Sequence, residues 1–330
     1  MLKYINEELK YSRMVKLGAS IIFVRGNKPL DALDIMSDKC LIDSADMEYD
    51  FQIVFYTCSI NSDIYKKSLG YRSNTVRNDY FNKGYYVCDH FGRPINVVNE
   101  ENITIIFGED FSRIFWSYLV KYLMQIWSIN NSALFVKCAA FSTNKKGTIL
   151  IGCGGSGKTM INIHVCANGA QFITNSNAYI KNGNVMGIGS KMRVRMNKYY
   201  KRLFNMSKMK KGFEEEELLI DPLSVFSADV SSWTPIHNIV IVNYQNGNNK
   251  LVPISSELAF AYSQQFLLGI NVYRLEEDVL NYFHNDVMKF ADNYSYMTFV
   301  LKHLVETCQC YLADIDIANK EVCNQFMEML

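Results

Sequence analysis

A mixed α/β fold, β-rich at its N-terminal end and helical at its C-terminal end, is the architecture that three features of the sequence predict. The first hundred residues break into short β-branched or aromatic runs bounded by Asn, Asp and Gly. From Asp110 to Ile129 the apolar period changes to that of a helix. Beyond residue 130, short apolar runs alternate with helical stretches, and from Ser255 onward helical spacing dominates.

The elements follow in order. Strands are expected at 19–24, 49–57, 85–87, 94–98 and 103–107, with Phe91-Gly-Arg-Pro as a hairpin turn between two of them. Phe111, Phe115, Leu119, Tyr122, Leu123 and Ile126 lie on one face of the helix 110–129, and Trp116 and Trp127 widen that face. Large aromatics at such spacing read as core rather than as a ligand platform. Strands then follow at 133–141 and 148–152, a helix from Lys158 to Ala167 stopped by Asn168-Gly169, and a strand at 171–174. Asn182-Gly183 predicts a type I′ turn between 178–181 and 185–187. The run 238–243 is apolar throughout, as in a sheet interior, and Asn246-Gly247 turns it into 250–254. In the tail, Leu258, Tyr262 and Phe266, then Phe299, Leu301, Leu304 and Val305, form apolar stripes, and Cys308-Gln-Cys310 falls in a helical stretch.

At 330 residues and 49% apolar content the chain is long enough for two domains, or for one large α/β domain with an extension. The expected divisions are a β-rich region 1–109, a body 110–254 and a helical region 255–330. Thirty-four basic residues against 33 acidic ones give no basic excess for nucleic acid. Nine scattered cysteines without a CxxC point to reduced thiols, and the five histidines have no metal-ligand spacing. The opening MLKYINEELKYSRM is charged throughout, unlike a signal peptide. The most apolar helical run, 114–127, carries Lys121 and falls short of the roughly 20 residues that cross a bilayer. A soluble, cytoplasmic chain that engages neither nucleic acid nor membrane is expected.

One motif carries chemistry: Gly152-Cys153-Gly154-Gly155-Ser156-Gly157-Lys158-Thr159 satisfies GxxxxGK[ST], with a strand before it and a helix after it. Glycines let backbone N–H groups turn toward phosphate oxygens without side-chain clashes, and the helix start presents its positive dipole end. Lys158 is placed to reach the β- and γ-phosphates, and the Thr159 hydroxyl to ligate Mg²⁺. Cys153 also reads as a thiol at a helix start, where cysteine pKa values fall, but the loop already accounts for its position. The strand 238–243 ends in Asn243, so no acidic Walker B residue is evident there. The polar cluster downstream is Thr174-Asn175-Ser176-Asn177, after a strand expected to lie beside the P-loop strand.

The stretch 110–254 resembles the nucleotide-binding domain of the HPr serine kinase and phosphoenolpyruvate carboxykinase superfamily. It is most similar to the HPr-kinase-like proteins of bacterial peptide-modifying clusters. The resemblance rests on the helix 111–127, the strand Phe135-Val-Lys-Cys-Ala-Ala-Phe141, the break 142–147, the P-loop, Gly169-Ala-Gln-Phe-Ile-Thr174-Asn175-Ser176-Asn177 and the Asn182-Gly183 hairpin. It implies a P-loop mixed sheet, ATP or GTP with Mg²⁺, and phosphorylation of a hydroxyl, serine foremost, on a peptide or protein. A peptide-maturation enzyme is the implied partner.

Two departures stand out. The family's strand histidine falls on Lys137, and its Asp-Asp pair on Asn175-Ser176. The resemblance gives the aspartate positions metal binding and the base role. Asn ligates a metal through its carbonyl but accepts no proton at neutral pH. Transfer by positioning alone then remains open, since a loose transition state asks little of a base. Lys137 either replaces lost metal charge near the phosphates or, by plain strand alternation, faces solvent. The candidate catalytic set is thus Lys158, Asn175, Ser176 and Lys137, with Thr159 and Asn175 as metal ligands. Arg193 and Arg195, two apart on a strand and so on one face, are candidates to clamp phosphates or an acidic peptide. They belong to a basic run with Lys191, Lys198, Lys201, Arg202, Lys208, Lys210 and Lys211, neutralised by Glu214–Glu217, which also reads as a solvated surface. Two functions compete: an ATP/Mg²⁺-dependent kinase, and a nucleotide-binding pseudokinase that serves a peptide-modifying enzyme. A carboxykinase would need a His- and Asp-based metal site that the sequence does not offer.

Overall fold

The computed structural model describes residues 1–42, 47–71, 95–100, 102–111, 114–195, 210–211, 217–228, 232–243, 249–316 and 319–330. The expected strand 85–87, the turns Phe91–Pro94 and Asn246-Gly247, and Lys198, Lys201, Arg202, Lys208 and Glu214–Glu216 lie outside them. The fold is mixed α/β, and the chain forms two compact units. One comprises residues 1–34, 40–131 and 273–295, the other 35–39, 132–272 and 296–330.

The first unit holds a six-stranded mixed sheet of order β3-β1-β2-β4-β6-β5. Its strands are β1 Tyr11–Leu17, β2 Ser20–Gly26, β3 Leu41–Ile42, β4 Phe51–Thr57, β5 Ile95–Glu100 and β6 Ile103–Gly108. β4 is central, parallel to both β2 and β6, and Val54, Tyr56, Ile105 and Phe107 pack in one cluster with Ile5. Strand β1 is absent from the sequence expectation because charged Arg13 and Lys16 interrupt its apolar residues. The long expected helix is observed as a π-helical turn, Phe115–Leu119, leading into α2, Val120–Asn130; α1 is the short helix Asp63–Ser68. Phe111 and Phe115 pack on Phe55 of β4 with ring centroids 5.0 and 6.0 Å away, so these aromatics are core.

The second unit is built on a sheet that forks at one strand. Its strands are β7 Leu134–Val136, β8 Ala139–Thr143, β9 Lys146–Ile151, β10 Gln171–Thr174, β11 Ala178–Lys181, β12 Asn184–Gly187, β16 Thr234–Val242, β17 Lys250–Pro253 and β18 Gln309–Asp314. A separate three-stranded sheet contains β13 Met192–Arg195, β14 Lys210–Lys211 and β15 Glu217–Ile220. The start of β16 pairs with β12, while the rest of β16 lies parallel to both β9 and β18. Ile149, Leu150, Ile151, Ile239, Val240 and Ile241 are almost fully buried, as the continuous apolar runs of β9 and β16 require. Its longer helices are α3 Lys158–Ala167, α4 Ser256–Phe266 and α6 Lys320–Met329, and α5, Val287–Thr307, belongs to it from Tyr296 onward.

Several expectations are corrected. The single strand 133–141 is two strands, because the backbone leaves the ladder at Lys137: its N–H donates to the Leu267 carbonyl at 2.8 Å, and the Cys138 N–H to the Ser176 carbonyl at 3.2 Å. β7 then pairs with β11 and β8 with β9, so the chain changes branches of the sheet at that point. β10 does not adjoin the P-loop strand; β8 lies between them. Cys308-Gln-Cys310 is not helical, since α5 ends at Thr307 and Gln309 opens β18, which completes the parallel trio with β9 and β16. Leu258 and Phe299 are 54% and 69% exposed rather than core. The buried positions of α5 within this unit, Met297, Leu301, Leu304 and Val305, keep helical spacing, and Phe299 lies on another face. The Asn182-Gly183 turn has both residues at positive φ, 51° and 71°, as its type demands.

Among the described residues no helix is long and apolar enough to cross a membrane.

Candidate functional site

The P-loop segment runs from the end of β9 into α3. Gly152 is buried at φ 155°, and a Cβ there would stand 2.6 Å from the Val242 carbonyl oxygen at the end of β16, so only glycine fits. Gly157, at φ 99°, is the N-cap residue of α3 and lets the backbone turn sharply into the helix. Between them Cys153, Gly154 and Gly155 are exposed, and the Ser156 N–H donates to the Cys153 carbonyl at 3.3 Å. The result is a left-handed, glycine-lined loop closing on the positive end of a ten-residue helix.

Lys158 is half-buried against this loop. Its ammonium donates to the carbonyls of Gly152 and Cys153, both at 2.7 Å, and to Ser156 Oγ at 3.3 Å. Despite those acceptors, burial first and then the neighbouring charge of Lys137 push its pKa down to about 8. Burial also lowers the pKa of Lys137. Lys137 is itself half-buried, so its side chain is not wholly in solvent. The chain crosses between sheet branches at this residue, so strand alternation does not decide its direction.

Asn175 reaches the loop. Its Nδ2 lies 3.3 Å from Thr159 Oγ1, while its Oδ1 is buried and accepts no hydrogen bond. The separation of β10 from β9 by one strand is bridged by side chains. Asn162, fully buried on α3, donates from Nδ2 to the Thr174 carbonyl at 2.8 Å, and the Thr174 hydroxyl donates to the Asn177 carbonyl at 2.6 Å. Ser176 accepts at Oγ from Asn177 Nδ2 at 3.4 Å and offers its carbonyl to Cys138. Asn177 is fully buried and shapes the turn.

Asn162 and Tyr262 are missed by sequence reasoning. A buried Asn four residues after the P-loop lysine was available as a signal, since an interior amide needs partners. Tyr262 of α4 sits with its hydroxyl 3.8 Å from Cys153 Sγ and its ring on Phe266, centroids 4.4 Å apart. Burial, then the Cys153 contact, pushes its phenol up to about 12, so it stays protonated at neutral pH. Replacing Asn162 by Leu is expected to cost about 1–3 kcal/mol, because the Thr174 carbonyl loses its side-chain donor in the interior. Urea unfolding of Asn162→Leu against wild type measures it; an unchanged midpoint would show that the amide does not hold the Asn175 turn.

Arg193 and Arg195 lie on β13, in the separate three-stranded sheet, with the Arg193 side chain exposed. Lys191 is a structural cation, 95% shielded at its side chain and 3.0 Å from Asp38.

Mg²⁺, which the resemblance implies, is usually held through one or two carboxylates plus substrate phosphates. No cluster of three or more His, Cys, Asp or Glu suited to a metal exists among the described residues. Asn175 turns its Nδ2, not its carbonyl oxygen, to Thr159 Oγ1, and no carboxylate is among the groups that perturb Lys158. These residues do not fit a divalent-metal site. What the segment does present is a glycine-lined loop, a helix start and the Lys158 ammonium folded onto the loop carbonyls.

No family model and no curated protein matches this chain.

Proposed function

We propose that the chain binds a nucleoside triphosphate, ATP or GTP, at Gly152–Thr159 and acts as a nucleotide-binding pseudokinase serving as a partner or scaffold for a peptide-modifying enzyme. The observation that carries this reading is the loop itself: left-handed glycines closing on the start of α3, with Lys158 folded over them. Asn175 and Ser176 offer no carboxylate to take the acceptor's proton, which favours binding over transfer. A second reading, phosphorylation of a serine hydroxyl on a peptide or protein, is favoured by one observation, the contact of Asn175 with Thr159. In that reading positioning alone would drive transfer.

The full chain incubated with ATP, magnesium and a peptide encoded beside it separates the two. Saturating nucleotide should stabilise the protein, by about 2.7 kcal/mol at a hundred times Kd, with no phosphate mass shift on the peptide. Asn175→Asp and Ser176→Asp should likewise create no transfer. A phosphate mass shift with the wild type would overturn the pseudokinase in favour of the kinase.

A further inference from the structure

Cys153, the second residue of the loop, is contacted at two of its groups. Its carbonyl accepts from the Lys158 ammonium at 2.7 Å, and its Sγ lies 3.8 Å from the hydroxyl of Tyr262 on α4. A P-loop lysine reaches the β- and γ-phosphates, so the residue on which Lys158 rests marks the part of the loop that faces the terminal phosphate. The helix that brings Tyr262 there is fixed at both ends. Ser255 Oγ accepts from the Leu258 N–H at 3.4 Å, and the Leu267 carbonyl, just past the helix, accepts from the Lys137 N–H at 2.8 Å. The Tyr262 ring stacks on Phe266, centroids 4.4 Å apart, which holds the ring that carries the hydroxyl. A thiol sulfur is a weak acceptor, so the phenol makes a poor hydrogen bond with Cys153. A phosphate oxygen accepts strongly, and an O–H group facing it makes a short, charge-assisted bond. The phenol keeps its proton at neutral pH and is able to donate it into such a bond.

We infer that Tyr262 is a further phosphate-binding residue: its hydroxyl leaves the Cys153 sulfur and donates to the terminal phosphate, so that the site selects a nucleoside triphosphate over a diphosphate. The inference rests on the P-loop reading above and goes further, since it adds a side chain from α4 to a loop that otherwise uses backbone N–H groups and its own lysine. A diphosphate stops short of the hydroxyl, which then stays on sulfur.

Titration calorimetry of the full chain with ATP and with ADP, in magnesium, tests it on the wild type, Tyr262→Phe and Lys158→Ala. The wild type should bind ATP at least about tenfold more tightly than ADP. Tyr262→Phe keeps the ring on Phe266 and removes only the hydroxyl. It should weaken ATP by about tenfold or more, as expected for a lost hydrogen bond to a charged group, and leave ADP within about twofold. Inorganic tripolyphosphate and pyrophosphate should show the same split, because the base takes no part. ATP affinity unchanged in Tyr262→Phe, or ADP affinity lost as heavily as ATP affinity, would overturn the inference. The P-loop reading would still stand if Lys158→Ala weakened both nucleotides. Binding of neither nucleotide, or binding untouched by Lys158→Ala, would overturn the P-loop reading and the inference with it. Should Tyr262→Phe fail to fold, the wild-type comparison decides alone, and equal affinities for ATP and ADP would overturn the inference.

Discussion

Lys158→Ala is expected to weaken nucleotide binding severely while leaving the fold in place. Nearly all of the polar contact that Lys158 makes is with the loop it serves: two carbonyls at 2.7 Å and the Ser156 hydroxyl. No strand pairing or helix cap depends on its side chain. Removing it leaves a phosphate facing a glycine loop and a helix start without the nearest cation. A charge-assisted contact of this kind is worth roughly 1.5–3 kcal/mol, so Kd should rise on the order of ten- to a hundredfold. The lost ammonium also relieves its repulsion with Lys137, and the variant should therefore melt at or slightly above the wild-type temperature without ligand. Calorimetry and a melting curve measured on the same preparation check both halves. Equal affinity in wild type and variant would remove Gly152–Thr159 as the site.

Affinity for ATP should fall as pH rises above about 8. The sign follows from Lys158, whose free-state pKa is pushed down to about 8 by burial first and Lys137 second. A bound phosphate favours the charged ammonium and raises that pKa, so binding takes up a proton once the free group has lost it. Below pH 8 the lysine is already charged and affinity is flat. Above it the protein must first be protonated, and Kd should weaken by about tenfold per pH unit until the pKa of the complex is reached. The terminal phosphate does not blur this window, since its second proton leaves near pH 6. Lys137, also lowered by burial, acts in the same direction, and Cys138, pushed up to about 12 by burial, stays neutral across this window. Calorimetry at pH 7 and pH 9 in two buffers of different ionisation enthalpy gives both the affinity and the proton count. Binding that strengthens or stays level across that interval would show that Lys158 does not meet the phosphate as a charged group.

The parts legible in the sequence were those whose signal is local. The helix Lys158–Ala167 is observed with the bounds expected for it, because a glycine N-cap and an Asn-Gly stop mark its ends. The β9–loop–α3 unit and the Asn182-Gly183 turn were likewise readable, since the backbone at Gly152, Gly157 and Gly183 needs a conformation that the residue type announces. Period and punctuation report on neighbours a few residues apart, and these features are made of such neighbours.

What only the tertiary structure decided is where distant segments meet. Alternation along 133–141 sent Lys137 outward or inward with equal ease; the Leu267 and Ser176 carbonyls, far along the chain, interrupt the strand there and leave Lys137 half-buried. The order β10-β8-β9 places a strand between Asn175 and the P-loop strand, and the buried amide of Asn162 spans the gap. Tyr262 looked like one of a stripe of core residues on α4, yet it lies against Cys153, while Leu258 from the same stripe is exposed. Gln309–Asp314 continues a helical-looking tail in sequence and becomes a strand because β16 offers it a parallel edge. The chemistry beside the loop comes from side chains more than a hundred residues apart in the extreme case, Cys153 and Tyr262, and no sequence period carries information over that distance. Hydrogen-bond satisfaction and burial, which act only once the chain has folded, choose those partners.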